Sequence, residues 1–277
     1  MNVRDLLAAA TKRLDGAEAR VDAELLLAHA LARPRAWLYA WPQYEPDASQ
    51  RETFERLVTG RAGGEPIAYL IGHREFFSLD FEVTPAVLIP RPETELLVEL
   101  ALERVPANTE VRIADLGTGS GAIALVLARE RPLARVIATD ASAAALDVAR
   151  RNATRLGIAN VTFAQGDWTA ALAGASFDLI VSNPPYIASG DAHLGIGDVR
   201  REPRAALVSG SDGLDAIRRI VAEAPTHLDA GGWLLIEHSW DQARRVRELF
   251  ESHGFADISS TRDGAGHERV TLGRKRN

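Results

Sequence analysis

An amide side chain followed by two prolines is the first place where this sequence could do chemistry. The apolar run FDLIVS leads into Asn183, Pro184, Pro185 and Tyr186. Proline fixes its own φ, lacks an N–H and pushes the preceding residue towards extended backbone. The pattern therefore predicts a stiff bracket in which the Asn183 side-chain oxygen and the Pro184 carbonyl point outward as two acceptors. Such a pair suits a planar NH₂ group, which has two donors.

The chemistry that this bracket supports is transfer of a group to a poorly nucleophilic nitrogen. Holding both N–H groups positions the nitrogen and stabilises positive charge that develops on it. We expect Asn183, Pro184 and Tyr186 to be catalytic, Tyr186 as a wall against the bound planar group, and Pro185 to join them in substrate binding. The bracket by itself leaves adenine, cytosine and the glutamine amide open as substrates.

A glycine-rich loop upstream predicts the binding place of a nucleoside-type cofactor. The strand VRIADLG runs into Gly117, Thr118, Gly119, Ser120 and Gly121, and a helix follows. Glycine has no Cβ, so the backbone of such a loop can approach a ligand closely. Ligands of open α/β sheets bind at the carboxyl ends of the strands, where this loop lies. The spacing differs from the GxGxxG of dinucleotide enzymes.

The next two strands end in residues that could hold the rest of a nucleoside. Asp140 ends the strand ARVIATD, and an acid there can accept hydrogen bonds from both ribose hydroxyls. The following strand ends in QGDW, which places Asp167 or Trp168 where a base would lie. Trp168 offers a flat apolar surface for stacking. The competing interpretation of Trp168 is an ordinary core tryptophan.

The elements that must position these residues form two regions of different character. From residue 111 onward, short apolar strands alternate with amphipathic helices, which predicts an α/β fold with a mostly parallel sheet. Residues 1–72 carry only helical patterns and are nearly neutral, with 9 Lys and Arg against 10 Asp and Glu. We expect a helical docking domain at 1–72, a hairpin or linker at 73–92 and a catalytic domain at 93–277. The second helix of the first domain is predicted to bury a face through Val21, Leu25 and Ala28.

Composition narrows the class of protein. The chain has 277 residues, a formal net charge of −6 and no cysteine. The absence of cysteine excludes disulfides and thiolate metal sites and fits a reducing compartment. The acidic balance argues against stable nucleic-acid binding, and no apolar run is long enough to span a bilayer. We expect a cytoplasmic protein that needs no metal and no membrane.

Several motifs together resemble known families. The Asp-x-Gly-x-Gly-x-Gly arrangement that begins at Asp115 resembles the first motif of class I S-adenosylmethionine methyltransferases. NPPY resembles the signature of amino-methyltransferases. The order of PIAYLIG, IPRPETE, DLGTGSG, NPPYI and EPRAAL along nearly the whole chain looks like the HemK/PrmC family, the N5-glutamine methyltransferases of peptide chain release factors.

That resemblance implies a Rossmann-like domain with a mostly parallel seven-stranded sheet and a small N-terminal helical bundle. It implies S-adenosyl-L-methionine as cofactor, S-adenosyl-L-homocysteine as product, and class I release factors as partners, bound through a Gly-Gly-Gln loop. The cofactor-binding residues would be Gly117, Thr118, Gly119, Ser120, Gly121, Asp140, Trp168 and Asn183.

Two other hypotheses stay open at the level of sequence. One is an adenine-N6 methyltransferase on DNA or RNA, with a flipped base near Tyr186. The other is a non-catalytic cofactor-binding module with a helical adaptor. In the IPRPETE segment we expect Arg91, Glu93 or Glu95 to lie near the mouth of the cofactor site.

Overall fold

The computed structural model describes residues 1–276, which form two compact units. The first contains Met1–His73 together with His193–Arg201. The second contains Arg74–Ala192 and the chain from Glu202 onward. Within the described part of the chain, no helix combines the length and apolarity needed to cross a membrane.

The first unit is helical. Its fourth helix begins at a capping box, in which Asp47 accepts a hydrogen bond from the backbone N–H of Gln50 and the Gln50 side chain accepts one from the N–H of Asp47. Leu6, Leu57 and other apolar side chains of the helices form one buried cluster. The helices are α1 (Val3–Arg13), α2 (Ala19–Leu31), α3 (Arg35–Ala40), α4 (Ala48–Ala62) and α5 (Ile67–Ile71).

The predicted second helix is present as α2, but only part of its predicted apolar face is buried. Ala28 is buried and Val21 is exposed, whereas two acids of the same helix, Asp22 and Glu24, are buried. Arg61 reaches Asp22 at 2.7 Å, and Tyr39 donates a hydrogen bond to Glu24 at 2.6 Å. Buried carboxylates are tolerated when such partners exist, and apolar periodicity carries no information about them.

A segment distant in sequence completes the first unit. Arg61 pairs with Asp198 at 2.6 Å as well as with Asp22, and Arg201 donates a hydrogen bond to the Gly63 carbonyl at 2.8 Å. The predicted domain boundaries place residues 193–201 in the catalytic domain, whereas the structure groups them with the helices.

The second unit is an α/β domain, and the predicted mostly parallel seven-stranded sheet is confirmed. A two-stranded sheet, β1 (His73–Phe76) and β2 (Leu79–Glu82), precedes it. The seven strands are β3 (Arg112–Leu116), β4 (Arg135–Asp140), β5 (Val161–Gln165), β6 (Phe177–Ser182), β7 (Leu228–Glu237), β8 (Phe255–Arg262) and β9 (Glu268–Lys275). The helices are α6 (Glu95–Arg104), α7 (Ala122–Glu130), α8 (Ala143–Leu156), α9 (Asp215–Glu223) and α10 (Ala243–Ser252).

The order across the sheet is β5-β4-β3-β6-β7-β9-β8, with β9 antiparallel to both of its neighbours. Successive residues of a strand point to opposite faces. Ile113 of β3 accordingly joins the cluster that contains Leu97 and Leu125, and Ala114 joins the cluster that contains Ile217. The central strands are thus covered on both faces, which explains their continuous apolar runs.

A proline follows the α9 helix in the chain. The helix ends at Glu223, and a 3₁₀ turn, Ala224–Thr226, follows. Pro225 lacks a backbone N–H and cannot continue an α-helical ladder.

Candidate active site

A cavity of about 260 Å³ lies at the carboxyl ends of the parallel strands. The structure brings most of the sequence-predicted residues to it. Its walls include Gly117, Thr118, Gly119, Ser120, Asp140, Trp168, Asn183 and Pro185. Gly121, Pro184 and Tyr186 are not among the lining residues; they support the loops that line the cavity.

The three glycines of the loop all have positive φ, but the space around their Cβ positions differs. Gly117 has φ +77°, and a Cβ there would come within 3.1 Å of the Trp168 ring. Gly121 has φ +84° at the start of α7, where a Cβ would meet Ala149 at 3.2 Å. Gly119 has φ +56° and open space around its Cβ position. The middle of the loop is therefore the part that a ligand can approach.

The Asp140 carboxylate braces this loop from the next strand. Its Oδ2 accepts a hydrogen bond from the Gly119 N–H at 2.9 Å, and its Oδ1 accepts one from the Ser142 N–H at 2.8 Å. Each carboxylate oxygen has a further lone pair. The acid therefore fixes the loop and still has acceptor capacity towards the cavity.

Both interpretations of Trp168 describe part of its position. The ring lines the cavity and also packs against the buried cluster on one face of the sheet. The residue has φ +53°, in the left-handed region that is uncommon for a bulky side chain. A Cβ at position 117 would lie 3.1 Å from Cζ3 of this ring, so the ring leaves little room for a larger residue there.

A buried acid lies directly behind the loop. Thr118 donates a hydrogen bond to Asp115 Oδ2 at 2.6 Å, and Asp115 is fully buried. Burial raises the pKa of Asp115 to about 7, although the hydrogen bond from Thr118 opposes the shift. Within residues 1–276, Asp115 Oδ1 has no hydrogen-bond partner. A carboxylate with an unused acceptor is therefore held beneath the glycine loop.

The bracket after β6 is held on two sides. Ser182 donates to the Leu116 carbonyl at 2.7 Å, which ties the end of β6 to β3. Gln242 donates to the Tyr186 carbonyl at 3.0 Å. A Cβ on Gly213 would lie 2.3 Å from the same carbonyl oxygen, so glycine is required where the two loops meet. These contacts fix the chain on both sides of the two prolines.

Two residues that the sequence patterns did not single out contact the bracket. Asn183 Nδ2 donates to Thr94 Oγ1 at 3.1 Å, and the Tyr186 hydroxyl donates to Glu237 Oε1 at 3.3 Å. Burial raises the pKa of Glu237 to about 7, against hydrogen bonds from Thr94 and Tyr186. Burial likewise raises the pKa of Tyr186, and the nearby Glu237 carboxylate adds to the shift.

The IPRPETE segment contributes to the cavity one of the three residues expected there and one that was not expected. Arg91 does line it, and its guanidinium pairs with the buried carboxylate of Glu202. Glu93 is not a lining residue, and Glu95 instead accepts a hydrogen bond from the Phe77 N–H at 2.8 Å. Thr94 both lines the cavity and is buried. The motif marked the right segment, but no local pattern indicated which side chain faces inward.

The fold and the site define a methyltransferase. The Methyltransferase small domain model matches residues 93–200, and the PrmC N-terminal domain model matches residues 5–72. A methyltransferase of known structure from Pyrococcus furiosus superposes with a TM-score of 0.55 at 20% identity, covering 80% of this chain and 98% of that chain.

Relatives of much higher identity define the particular family. The chain is 55% identical to the release factor glutamine methyltransferase of Xylella fastidiosa, over 97% of this chain and 96% of the relative. It is 47% identical to the enzyme of the same name from Escherichia coli, over 99% of both. The chain belongs to the release factor glutamine methyltransferase family.

Proposed function

We propose that the protein transfers a methyl group from S-adenosyl-L-methionine to the side-chain amide nitrogen of the glutamine in the Gly-Gly-Gln loop of class I peptide chain release factors. The observation that carries the proposal is the presence of Asn183 in the same cavity wall as the glycine loop, Asp140 and Trp168. The acceptor proposed for the substrate amide and the residues proposed to bind the nucleoside therefore line the same cavity.

The residues present fit the cofactor. The open Cβ space at Gly119 allows close backbone approach, Asp140 keeps acceptor capacity for ribose hydroxyls, and Trp168 presents an aromatic surface. The orphaned oxygen of Asp115 leaves an acceptor beneath the loop. When bound, the cofactor supplies an electrophilic methyl group on a sulfonium.

Transfer then depends on how the chain holds the amide. The Asn183 oxygen and the Pro184 carbonyl accept the two N–H groups and aim the nitrogen at the methyl carbon. S-adenosyl-L-methionine, held by the glycine loop, Asp140 and Trp168, would supply the methyl group and would leave as S-adenosyl-L-homocysteine. The substrate nitrogen would lose one N–H proton to solvent. The acceptors stabilise the positive charge that grows on nitrogen before the proton leaves.

The helical unit is proposed to dock the release factor. Residues 5–72 match the PrmC N-terminal domain, and the relatives are named for release factors as substrates. The net charge of −6 supports a protein partner rather than stable binding to nucleic acid. Because release factors act in translation, we expect the protein to work in the cytoplasm.

The test is transfer of labelled methyl from the cofactor to alternative acceptors. Purified protein would be incubated with unmethylated release factor, with the same factor carrying Gln→Ala in its Gly-Gly-Gln loop, and with duplex DNA. We expect label on the first only, mapped by mass spectrometry to the glutamine. Label on DNA would establish the adenine alternative and overturn the proposal.

A further inference from the structure

We infer that Thr94 and Glu237 form a positioning pair that sets which way the Asn183 amide faces and anchors Tyr186 beside it. This inference rests on the proposed function, because it assigns the pair to the same amide-holding bracket. Neither residue belongs to the glycine loop or to NPPY; they reach the bracket from the start of α6 and from the end of β7.

Thr94 and Glu237 are both buried. Thr94 is 4% exposed and Glu237 is 1% exposed. A buried carboxylate is costly unless hydrogen bonds compensate for lost hydration. Glu237 Oε1 accepts a hydrogen bond from the Tyr186 hydroxyl at 3.3 Å, whereas Oε2 has no partner among residues 1–276. An acid kept here with incomplete compensation indicates a role beyond packing.

The direction of the hydrogen bond fixes the orientation of the Asn183 amide. Asn183 Nδ2 donates to Thr94 Oγ1 at 3.1 Å, so the Thr94 hydroxyl oxygen is the acceptor. An acceptor at this position takes the NH₂ end of the amide and not its oxygen.

The orientation of the Asn183 amide decides which of its atoms meets the substrate. With its nitrogen committed to Thr94, the Asn183 amide leaves its oxygen for a substrate N–H. The flipped amide would present NH₂ to NH₂, two donors facing each other, and could not hold the substrate nitrogen. Thr94 thus acts on the substrate through Asn183, and Glu237 acts on the neighbouring wall through Tyr186.

The experiment compares Thr94→Val, which keeps the shape and removes the hydroxyl, with Thr94→Ser, which keeps the hydroxyl. We expect Thr94→Val to lower kcat for release factor by about 10- to 100-fold while KM changes by less than roughly threefold. The substitution alters the orientation of the Asn183 amide and leaves the binding of the release factor unchanged. Thr94→Ser should recover most of that loss. Glu237→Leu should lower kcat as well, since it removes the acceptor of the Tyr186 hydroxyl.

The matched control is Thr271→Val. Thr271 is fully buried, and its hydroxyl bonds His238 and Ser260 away from the bracket. This variant measures how much stability is lost when a buried threonine hydroxyl is removed elsewhere in the domain. We expect a lower melting temperature in the control, with kcat close to that of the wild type.

A double-mutant cycle separates positioning from general damage. If Thr94 acts through Asn183, Thr94→Val should have no further effect on kcat in an Asn183→Ala background. Additive losses in the cycle, or wild-type kcat in Thr94→Val, would overturn the inference.

A spectroscopic readout keeps this test apart from that of the proposed function. In NMR spectra, the side-chain amide signals of Asn183 can be assigned by their loss in Asn183→Ala. They should shift in Thr94→Val and stay in place in Thr271→Val. If the wild type does not methylate release factor, the proposed function fails, and the amide signals still report whether Thr94 holds Asn183. Unchanged signals in Thr94→Val would refute the positioning pair.

Discussion

The Asp140 carboxylate accepts a hydrogen bond from the backbone N–H of Gly119 at 2.9 Å, although 21 residues separate them. One side chain thus fixes the middle of the glycine loop and faces the cavity. Asp140→Asn can keep one acceptor but loses the charge and the second acceptor oxygen. We expect the affinity for S-adenosyl-L-methionine to fall about 10-fold or more, since hydrogen bonds to charged groups contribute roughly 1.5–3 kcal/mol.

Isothermal titration with the cofactor would measure the loss. Asp147→Asn is the matched control, because Asp147 is exposed on α8 and pairs with Arg150 on the surface. Equal affinities of the two variants would contradict a direct role for Asp140.

Gly117→Ala should separate backbone strain from steric conflict. The left-handed φ of +77° costs an alanine roughly 1–2 kcal/mol, and the new Cβ would also press on the Trp168 ring at 3.1 Å. Gly157→Ala carries a similar strain at φ +68° with nothing near its Cβ. We expect both variants to lose stability in denaturant unfolding, but only Gly117→Ala to shift Trp168 fluorescence and weaken cofactor binding.

Asn183→Ala removes one of the two proposed acceptors for the substrate amide. We expect kcat to fall by about 10²- to 10³-fold, as for loss of one group that stabilises a transition state. The melting temperature should change little, because the prolines and the Ser182 and Gln242 contacts still hold the bracket. Steady-state kinetics and thermal unfolding would measure the two effects, with the exposed Asn108→Ala as control. Turnover at the wild-type rate would remove Asn183 from the mechanism.

The raised pKa of Asp115 predicts how stability depends on pH. Its folded-state pKa of about 7 lies above the ordinary 3.8, so between these values the folded protein binds more protons than the unfolded chain. The contribution of Asp115 is therefore fully present below pH 3.8 and is lost as pH rises through about 7. Relative to Asp115→Asn, the cofactor-free wild type should lose stability across this window, with a slope approaching about 1.4 kcal/mol per pH unit.

Urea unfolding at a series of pH values would measure this difference. Asp241→Asn, on the surface, is the control and should follow the wild type. A difference between wild type and Asp115→Asn that is independent of pH would show that Asp115 is charged in the folded protein throughout the range.

The parts of the site that sequence could predict are those fixed by local backbone. The glycine loop and the two prolines of NPPY restrict φ by their own chemistry, so their shape follows from composition and spacing. Asp140 and Trp168 were also predictable, because the strand-and-helix rhythm places both at carboxyl ends of parallel strands.

The residues that escaped prediction act across the sheet. Thr94 meets Asn183 over 89 positions, and Glu237 meets Tyr186 over 51. Neither pairing has a periodicity, and a threonine or a glutamate at an element end is most simply interpreted as helix capping or surface. The buried acids of α2 were missed for the same reason, since Arg61, the partner of Asp22, and Tyr39, a partner of Glu24, lie on other helices.

The sequence by itself determined the α/β class, the family to which the chain belongs, and which strands are followed by the candidate site residues. These properties depend on apolar periodicity and on residues with restricted backbones. The tertiary structure alone decided which polar side chains are buried and which way their hydrogen bonds run. A buried polar group is stable only with a partner, and partners are brought together by packing between strands and helices that are far apart in the chain. The orientation of the Asn183 amide is therefore a property of the folded sheet rather than of the NPPY motif.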